Sequence, residues 1–181
     1  VQVEFGLRPH REKKILDIGC GPGQFARFLE DRGYKRYEGI DFSETAIAMA
    51  RKTCGFPVRV ADAFSPQVLQ SPYDVVVCTE VLEHVQHDRD LVRQIRIGTH
   101  CFLSVPNYDD PGHVRFFRSE YAVRSRYYRL VDIERVHFIN GIYLVQGVRA
   151  DFRPNILQRA LKTRQRVSLH SIIARVRHHL R

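Results

Sequence analysis

One stretch limits this chain more than any other: Ile15-Leu-Asp-Ile-Gly-Cys-Gly-Pro-Gly-Gln-Phe25. The apolar run carrying Asp17 reads as a strand, and Gly19, Gly21 and Gly23 read as a tight turn. The residues after them have helical period. Glycine accepts positive φ and has no side chain to hold a ligand away from the main chain. A strand, a glycine turn and a helix in that order build a nucleotide-type pocket at the carboxyl end of a parallel sheet.

Further strand and helix units follow in alternation. The helical period covers 23–32, with Phe25, Phe28 and Leu29 on one face. Lys35–Asp41 reads as a second strand ending in an acid, about 20 residues after the first glycine, where a ribose-binding carboxylate sits in such folds. Ser43 is placed to cap a helix filled by Ala46, Ile47, Met49 and Ala50. Val58–Asp62 is a short third strand that also ends in an acid. Tyr73–Thr79 is nearly all apolar, as expected of a strand buried on both faces. A helix over 88–97 leads to a fifth strand, His100–Val105, ended by Pro106. Asn140-Gly141 separates two more strand-like runs, 133–139 and 142–149, and predicts a hairpin.

These residues together resemble the class I S-adenosylmethionine-dependent methyltransferases. The mark of that family is an acid followed by Gly-x-Gly-x-Gly after strand one, with a second acid closing strand two. Dinucleotide enzymes show Gly-x-Gly-x-x-Gly instead, and Gly23 comes one residue too early for that. The resemblance implies an α/β fold, a Rossmann-like doubly wound sheet, mostly parallel, finished by a C-terminal antiparallel hairpin. It also implies roles. The turn of Gly19, Cys20, Gly21 and Gly23 lets the methionine portion of S-adenosylmethionine pass close to the main chain, and Asp17 faces its ammonium. Asp41 accepts from the ribose hydroxyls, and Phe42 covers the adenine. Asp62 and the amide of Ala63 serve the adenine edge, and Thr79 and Glu80 close the cofactor site. The bland alternative is that Asp41 and Asp62 only cap the helices after them.

The segment Thr79-Glu-Val-Leu-Glu-His-Val85 follows strand four. If it turns as a helix, Glu80, Glu83 and His84 share one face. Two carboxylates and an imidazole suit a divalent ion such as Mg²⁺ or Mn²⁺. The segment is similar to that of the ubiquinone-biosynthesis O-methyltransferases. It is also similar to that of the small-RNA 3′-terminal 2′-O-methyltransferases, where it holds a metal that grips vicinal hydroxyls. His113 is the candidate fourth ligand. Two other readings stand beside the metal: proton transfer by His84 without an ion, supported by Glu83 and His113, and a purely structural role. Residues 107–128, rich in Tyr, Phe and Arg, are expected to carry much of the acceptor site.

The chain has 181 residues and a net charge of +9. Eight of those charges lie after Asp151, where no acid occurs, so residues 1–151 are nearly neutral. This divides the chain into a methyltransferase-like domain, 1–151, and a basic tail, 152–181, with Leu169, Ile172, Ile173, Val176 and Leu180 at helical spacing. The amphipathic tail is expected to pack on its own domain or a second copy in a homodimer, to dock on an anionic membrane surface, or to bind RNA. No apolar run approaches the ~20 residues of a membrane span. Cys20, Cys54, Cys78 and Cys101 have no metal-binding or disulfide spacing, which suits a cytoplasmic protein, and the basic tail adds a peripheral membrane location as the alternative. The function read from the chain is S-adenosylmethionine-dependent O-methylation of a small-molecule acceptor. A metal-assisted RNA 2′-O-methyltransferase and a non-catalytic S-adenosylmethionine-binding regulatory subunit are the alternatives.

Overall fold

The structure, a computed structural model, describes residues 6–151; the expected amphipathic tail lies outside them. In chain order the elements are β1 (Ile15–Ile18), α1 (Gln24–Asp31), β2 (Tyr37–Asp41), α2 (Glu44–Thr53), β3 (Val58–Val60) and α3 (Pro66–Gln70). They continue with β4 (Val75–Cys78), α4 (Asp88–Gln94), β5 (His100–Pro106), α5 (Glu120–Tyr127), β6 (Val131–Ile139) and β7 (Ile142–Arg149). The strands form one sheet in the order β3-β2-β1-β4-β5-β7-β6. Pairing is parallel from β3 to β5, and β7 is antiparallel to both its neighbours. This is the doubly wound, Rossmann-like α/β sheet with a terminal antiparallel hairpin.

All four residues of β1 and all four of β4 are buried, so successive side chains must be covered on opposite faces. Ile15, Val75, Val77 and Phe102 pack on one face with Ala26 and Leu29 of α1 and Ile47 and Ala50 of α2. Leu16, Ile18, Val76, Cys78 and Leu103 pack on the other with residues of α3, α4 and α5. Strand order runs outward from β1 through β2 to β3, and outward in the opposite direction from β4 to β5. The carboxyl ends of β1 and β4 therefore flank a point where the crossovers diverge, and a crevice is left there.

Several local features follow the sequence signals. The Ser43 hydroxyl accepts from the Ala46 amide at 3.2 Å and caps α2. Asn140 and Gly141 have φ of 50° and 83°, the two left-handed residues that join twisted strands in a tight hairpin. Other expectations need correction. Met49 is exposed, because α2 turns only Ile47 and Ala50 fully inward. β3 ends at Val60, two residues short of Asp62. α4 stops at Gln94, before exposed Ile97 and left-handed Gly98. Thr79–Val85 does not form a helix but a single turn, with the His84 amide bonded to the Val81 carbonyl at 3.0 Å. No described helix is long and apolar enough to cross a membrane.

The helical face behind β5 is fastened by a buried acid. Asp88 opens α4 and is fully buried; Arg126 donates to both its oxygens at 2.8 and 2.6 Å, and the Tyr127 hydroxyl donates at 2.7 Å. Arg115 adds a third contact at 3.5 Å. Burial by itself would raise the Asp88 carboxyl, but these hydrogen bonds and guanidinium charges outweigh it and hold the group below its ordinary value. Its ionised form therefore stabilises the fold above the usual carboxylate range, and that stabilisation is lost as pH falls. Arg126→Met is expected to lower unfolding free energy by about 2–3 kcal/mol near neutral pH. Urea midpoints should show the deficit shrinking in acid, where Asp88 is protonated in either variant.

Candidate functional site

The crevice beside β1 and β4 has a volume of roughly 650 Å³, within the usual span of small-molecule sites. Its floor is the glycine turn. Gly21, at φ 53°, has open space where a Cβ would stand, so a ligand meets bare main chain there. Asp41 braces the turn: one carboxylate oxygen accepts the Gly21 amide at 2.9 Å and the other the Ser43 amide at 2.9 Å. Each oxygen keeps a lone pair for a further donor. Asp62 likewise accepts the Phe64 amide at 2.9 Å and stays exposed. The two acids thus cap local backbone and line the crevice as well. Gly19, Ala63, Thr79 and Glu80 also line it, and Phe42 stands 84% exposed at its rim.

Three residues assigned to the cofactor from sequence do not line the crevice. Asp17 is buried on the opposite face of β1, where the Tyr37 hydroxyl donates to it at 2.5 Å. Strand alternation is the reason: Ile18, not Asp17, turns toward the crevice. Cys20 is buried against Gly39, whose Cβ would come within 2.8 Å of its Sγ. Gly23 begins α1 at φ 82° and lies against Ala50, where a Cβ would meet Cα at 3.0 Å. It serves helix packing.

The segment after β4 supplies the other wall. Glu80 adopts φ 56°, rare for a residue with a side chain, and its conformation is held from β5. Ser104 Oγ accepts the Glu80 amide at 2.8 Å and donates to Glu80 Oε1 at 2.8 Å. Beyond this kink lie Glu83, His84 and His113, each offering one ligand atom within 4.8 Å of the others. Glu80 is not part of that group. His84 lines the crevice, and Glu83 and His113 do not.

Electrostatics make Glu83 the most conspicuous group of the site. It is fully buried, and neither carboxylate oxygen has a hydrogen-bond partner among the described residues. Burial, with the Glu80 charge nearby, raises its carboxyl above the ordinary value. An unpartnered buried carboxylate is costly unless a proton, an imidazolium or a metal ion compensates it. The two histidines are already oriented for such a part. His84 Nδ1 lies 2.9 Å from the Gly112 carbonyl and His113 Nδ1 lies 3.3 Å from the Tyr108 carbonyl. A carbonyl can only accept, so each Nδ1 carries hydrogen in these contacts, and in a neutral ring so held Nε2 is the nitrogen left to bind a metal or accept a proton. One carboxylate and two imidazoles fit a divalent transition-metal ion that accepts nitrogen ligands better than Mg²⁺, which favours oxygen ligands.

Part of the 107–128 stretch holds this group in place. Arg115 donates to the carbonyls of Leu82, Val85 and Gln86, and the Val114 amide to the Glu83 carbonyl at 2.8 Å. Asn107 bonds the Phe117 carbonyl and the Tyr143 hydroxyl, and Phe117 and Tyr127 are core. Tyr108, Tyr121 and Tyr128 remain exposed. Sequence patterning singles out neither Ser104 nor Arg115 for these duties. The one signal for Ser104 is a lone hydroxyl inside the apolar run of β5.

Asp17 yields a pH dependence. Burial raises its carboxyl from 3.8 to about 7, against the opposing Tyr37 hydrogen bond, with Asp41 adding to the rise. The folded chain thus holds a proton that the unfolded chain releases. The stabilisation is complete below pH 4 or so and is lost as pH rises to about 7. Asp17→Asn, which cannot ionise, should flatten that part of the stability profile in chemical denaturation. Tyr37→Phe should extend the decline to higher pH.

The geometry has counterparts among known proteins. A family profile described as Methyltransferase domain matches residues 3–146. The ubiquinone biosynthesis O-methyltransferase of Pseudomonas aeruginosa (strain UCBPP-PA14) is 34% identical over 105 residues, which cover 52% of this chain and 45% of that one. The enzyme of the same name from Proteus mirabilis (strain HI4320) is 33% identical over 105 residues, 52% and 42% of the two chains. The chain spans less than half the length of these curated relatives. Magnesium protoporphyrin IX methyltransferase from Synechocystis PCC 6803, solved with bound SAH, superposes with a TM-score of 0.65 at 19% identity, covering 82% of this chain and 81% of that one. The methyltransferase domain of a bacterial Hen1 protein superposes with a TM-score of 0.64 at 16% identity, covering 82% and 95%. At those identities the structures share the fold. With the profile spanning most of the residues and the glycine turn, strand order and crevice in agreement, the chain belongs to the methyltransferase domain family.

Proposed function

We propose that this chain binds S-adenosylmethionine in the crevice and transfers its methyl group to an oxygen of a small molecule. The observation that carries the reading is the charge of the crevice wall. Asp41, Asp62 and Glu80 line it, and among the described residues no lysine or arginine does, although the whole chain is strongly basic. Three carboxylates repel the pyrophosphate of a dinucleotide and attract a ligand with a sulfonium and an ammonium. The spare lone pairs of Asp41 suit ribose hydroxyls, Phe42 suits the adenine face, and bare Gly21 suits the methionine portion.

The sulfonium is already an activated donor, so holding an acceptor in line supplies much of the acceleration. His84 Nε2 takes the acceptor hydroxyl proton as the oxygen bonds to the methyl carbon. The carbon–sulfur bond breaks with its electron pair staying on sulfur, which leaves neutral S-adenosylhomocysteine. Glu83 offsets the imidazolium that forms on His84. A divalent ion held by Glu83, His84 and His113 would instead acidify a hydroxyl bound to it. The grouping of those three ligand atoms is what supports this second version, and it also keeps an RNA 2′-hydroxyl as the second acceptor class. The names of the curated relatives support the small-molecule reading.

Labelled methyl transfer to pools of hydroxylated small molecules and to RNA, with and without chelator, tests both acceptor classes. Transfer to the small-molecule pool is expected. His84→Ala should lower kcat by about a hundredfold or more with KM for the cofactor little changed. Full turnover in that variant would remove His84 from the chemistry, and loss of activity on chelation would make the ion essential. Methylation confined to RNA would overturn the small-molecule reading.

A further inference from the structure

Charge is divided between the two edges of the sheet. The linkers on the crevice edge, 19–23, 42–43, 61–65, 79–87, 107–119 and 140–141, hold five acids against two arginines. The opposite edge is made by the linkers that enter β1 to β6 and by the exit from β7: 6–14, 32–36, 54–57, 71–74, 95–99, 128–130 and 150–151. These hold nine lysines and arginines against three acids. Arg11, Lys13, Lys35, Arg36, Arg96 and Arg129 are all exposed there. Helices end at this edge, and scattered cations would serve the negative ends of their dipoles. Two exposed apolar side chains on the same edge serve no such purpose.

Ile97 is 68% exposed in the turn between α4 and β5, next to left-handed Gly98. Tyr128 is 48% exposed where α5 passes into β6. Arg129 Nε donates to its hydroxyl at 2.6 Å, and the guanidinium lies over the ring. Only β7 separates β5 from β6, so the two turns stand about two strand spacings, ~10 Å, apart. β7 ends between them: the Gly98 amide donates to the Arg149 carbonyl at 2.8 Å, and the Ala150 amide to the Leu130 carbonyl at 2.9 Å. The acid-free basic sequence follows from there. An aliphatic side chain and a tyrosine among cations match the surface of an anionic bilayer, where apolar groups enter the headgroup region and cations meet phosphates. RNA has no apolar layer and gives Ile97 nothing to enter. We propose that this edge docks the protein on an anionic lipid bilayer. The crevice opens on the opposite edge, so it faces water in the docked protein, and repulsion of its acids by the headgroups favours that orientation.

Cosedimentation of the full chain with vesicles of phosphatidylcholine alone, and of phosphatidylcholine with about one-third phosphatidylserine, tests this. Binding to the mixed vesicles only is expected. Lys13→Glu with Lys35→Glu reverses charge on the edge and leaves the basic tail as it is, and affinity for mixed vesicles should fall at least about tenfold. Ile97→Ser with Tyr128→Ser should lower it about tenfold and leave affinity for RNA unchanged. All four residues are exposed, and thermal unfolding matched to wild type checks that both double variants are folded. Unchanged vesicle affinity in either double variant would overturn the proposal, because the edge or its apolar contact would then add nothing to the tail. Failure of the wild type to bind mixed vesicles would overturn it too. RNA binding without vesicle binding, weakened by Lys13→Glu with Lys35→Glu, would replace the bilayer with a nucleic acid as the partner of this edge.

Discussion

Parallel strands buried on both faces need helices on both faces, and that requirement shapes everything functional in this protein. β1 and β4 present no exposed residue, so crossovers must leave them toward opposite faces and opposite ends of the sheet. Where the two directions part, no helix can close over the strand ends. The crevice is a consequence of covering the sheet, and the glycine turn, Asp41 and Glu80 are simply what the chain places at its rim.

Three buried acids show how differently one fold accommodates the same chemical difficulty. Asp88 is surrounded by Arg126, Tyr127 and Arg115 and stays ionised. Asp17 has one phenol and responds to burial by holding its proton more firmly. Glu83 has no hydrogen-bond donor among the described residues and faces two imidazoles instead. The first case is a fastening and the second a buried pair beneath the glycine turn. The third leaves a compensating charge to be supplied, as expected of a group that works with a proton or an ion.

Much of this was legible in the sequence. Local rules govern the valine-rich β4, the Asn140-Gly141 hairpin, the Ser43 cap and the glycine turn, because each depends on residues within one or two turns of itself. The acids after β2 and β3 could be read because they follow strands by fixed intervals. Asp17 could not, since a shift of one residue along a strand moves a side chain to the other face of the sheet. Nor could the kink at Glu80, for helical spacing of Glu80, Glu83 and His84 is outvoted by a hydroxyl on β5.

The order of apolar runs, acids and glycines by itself determined an α/β sheet with an open crevice and the family to which it belongs. Tertiary structure alone decided which acids face that crevice, that Ser104 holds Glu80, and that His113 meets His84 through the loop Arg115 clasps. The reason is range. Strand, turn and hairpin preferences act between neighbours in the chain, whereas a side chain's partners across the sheet exist only once distant segments have packed.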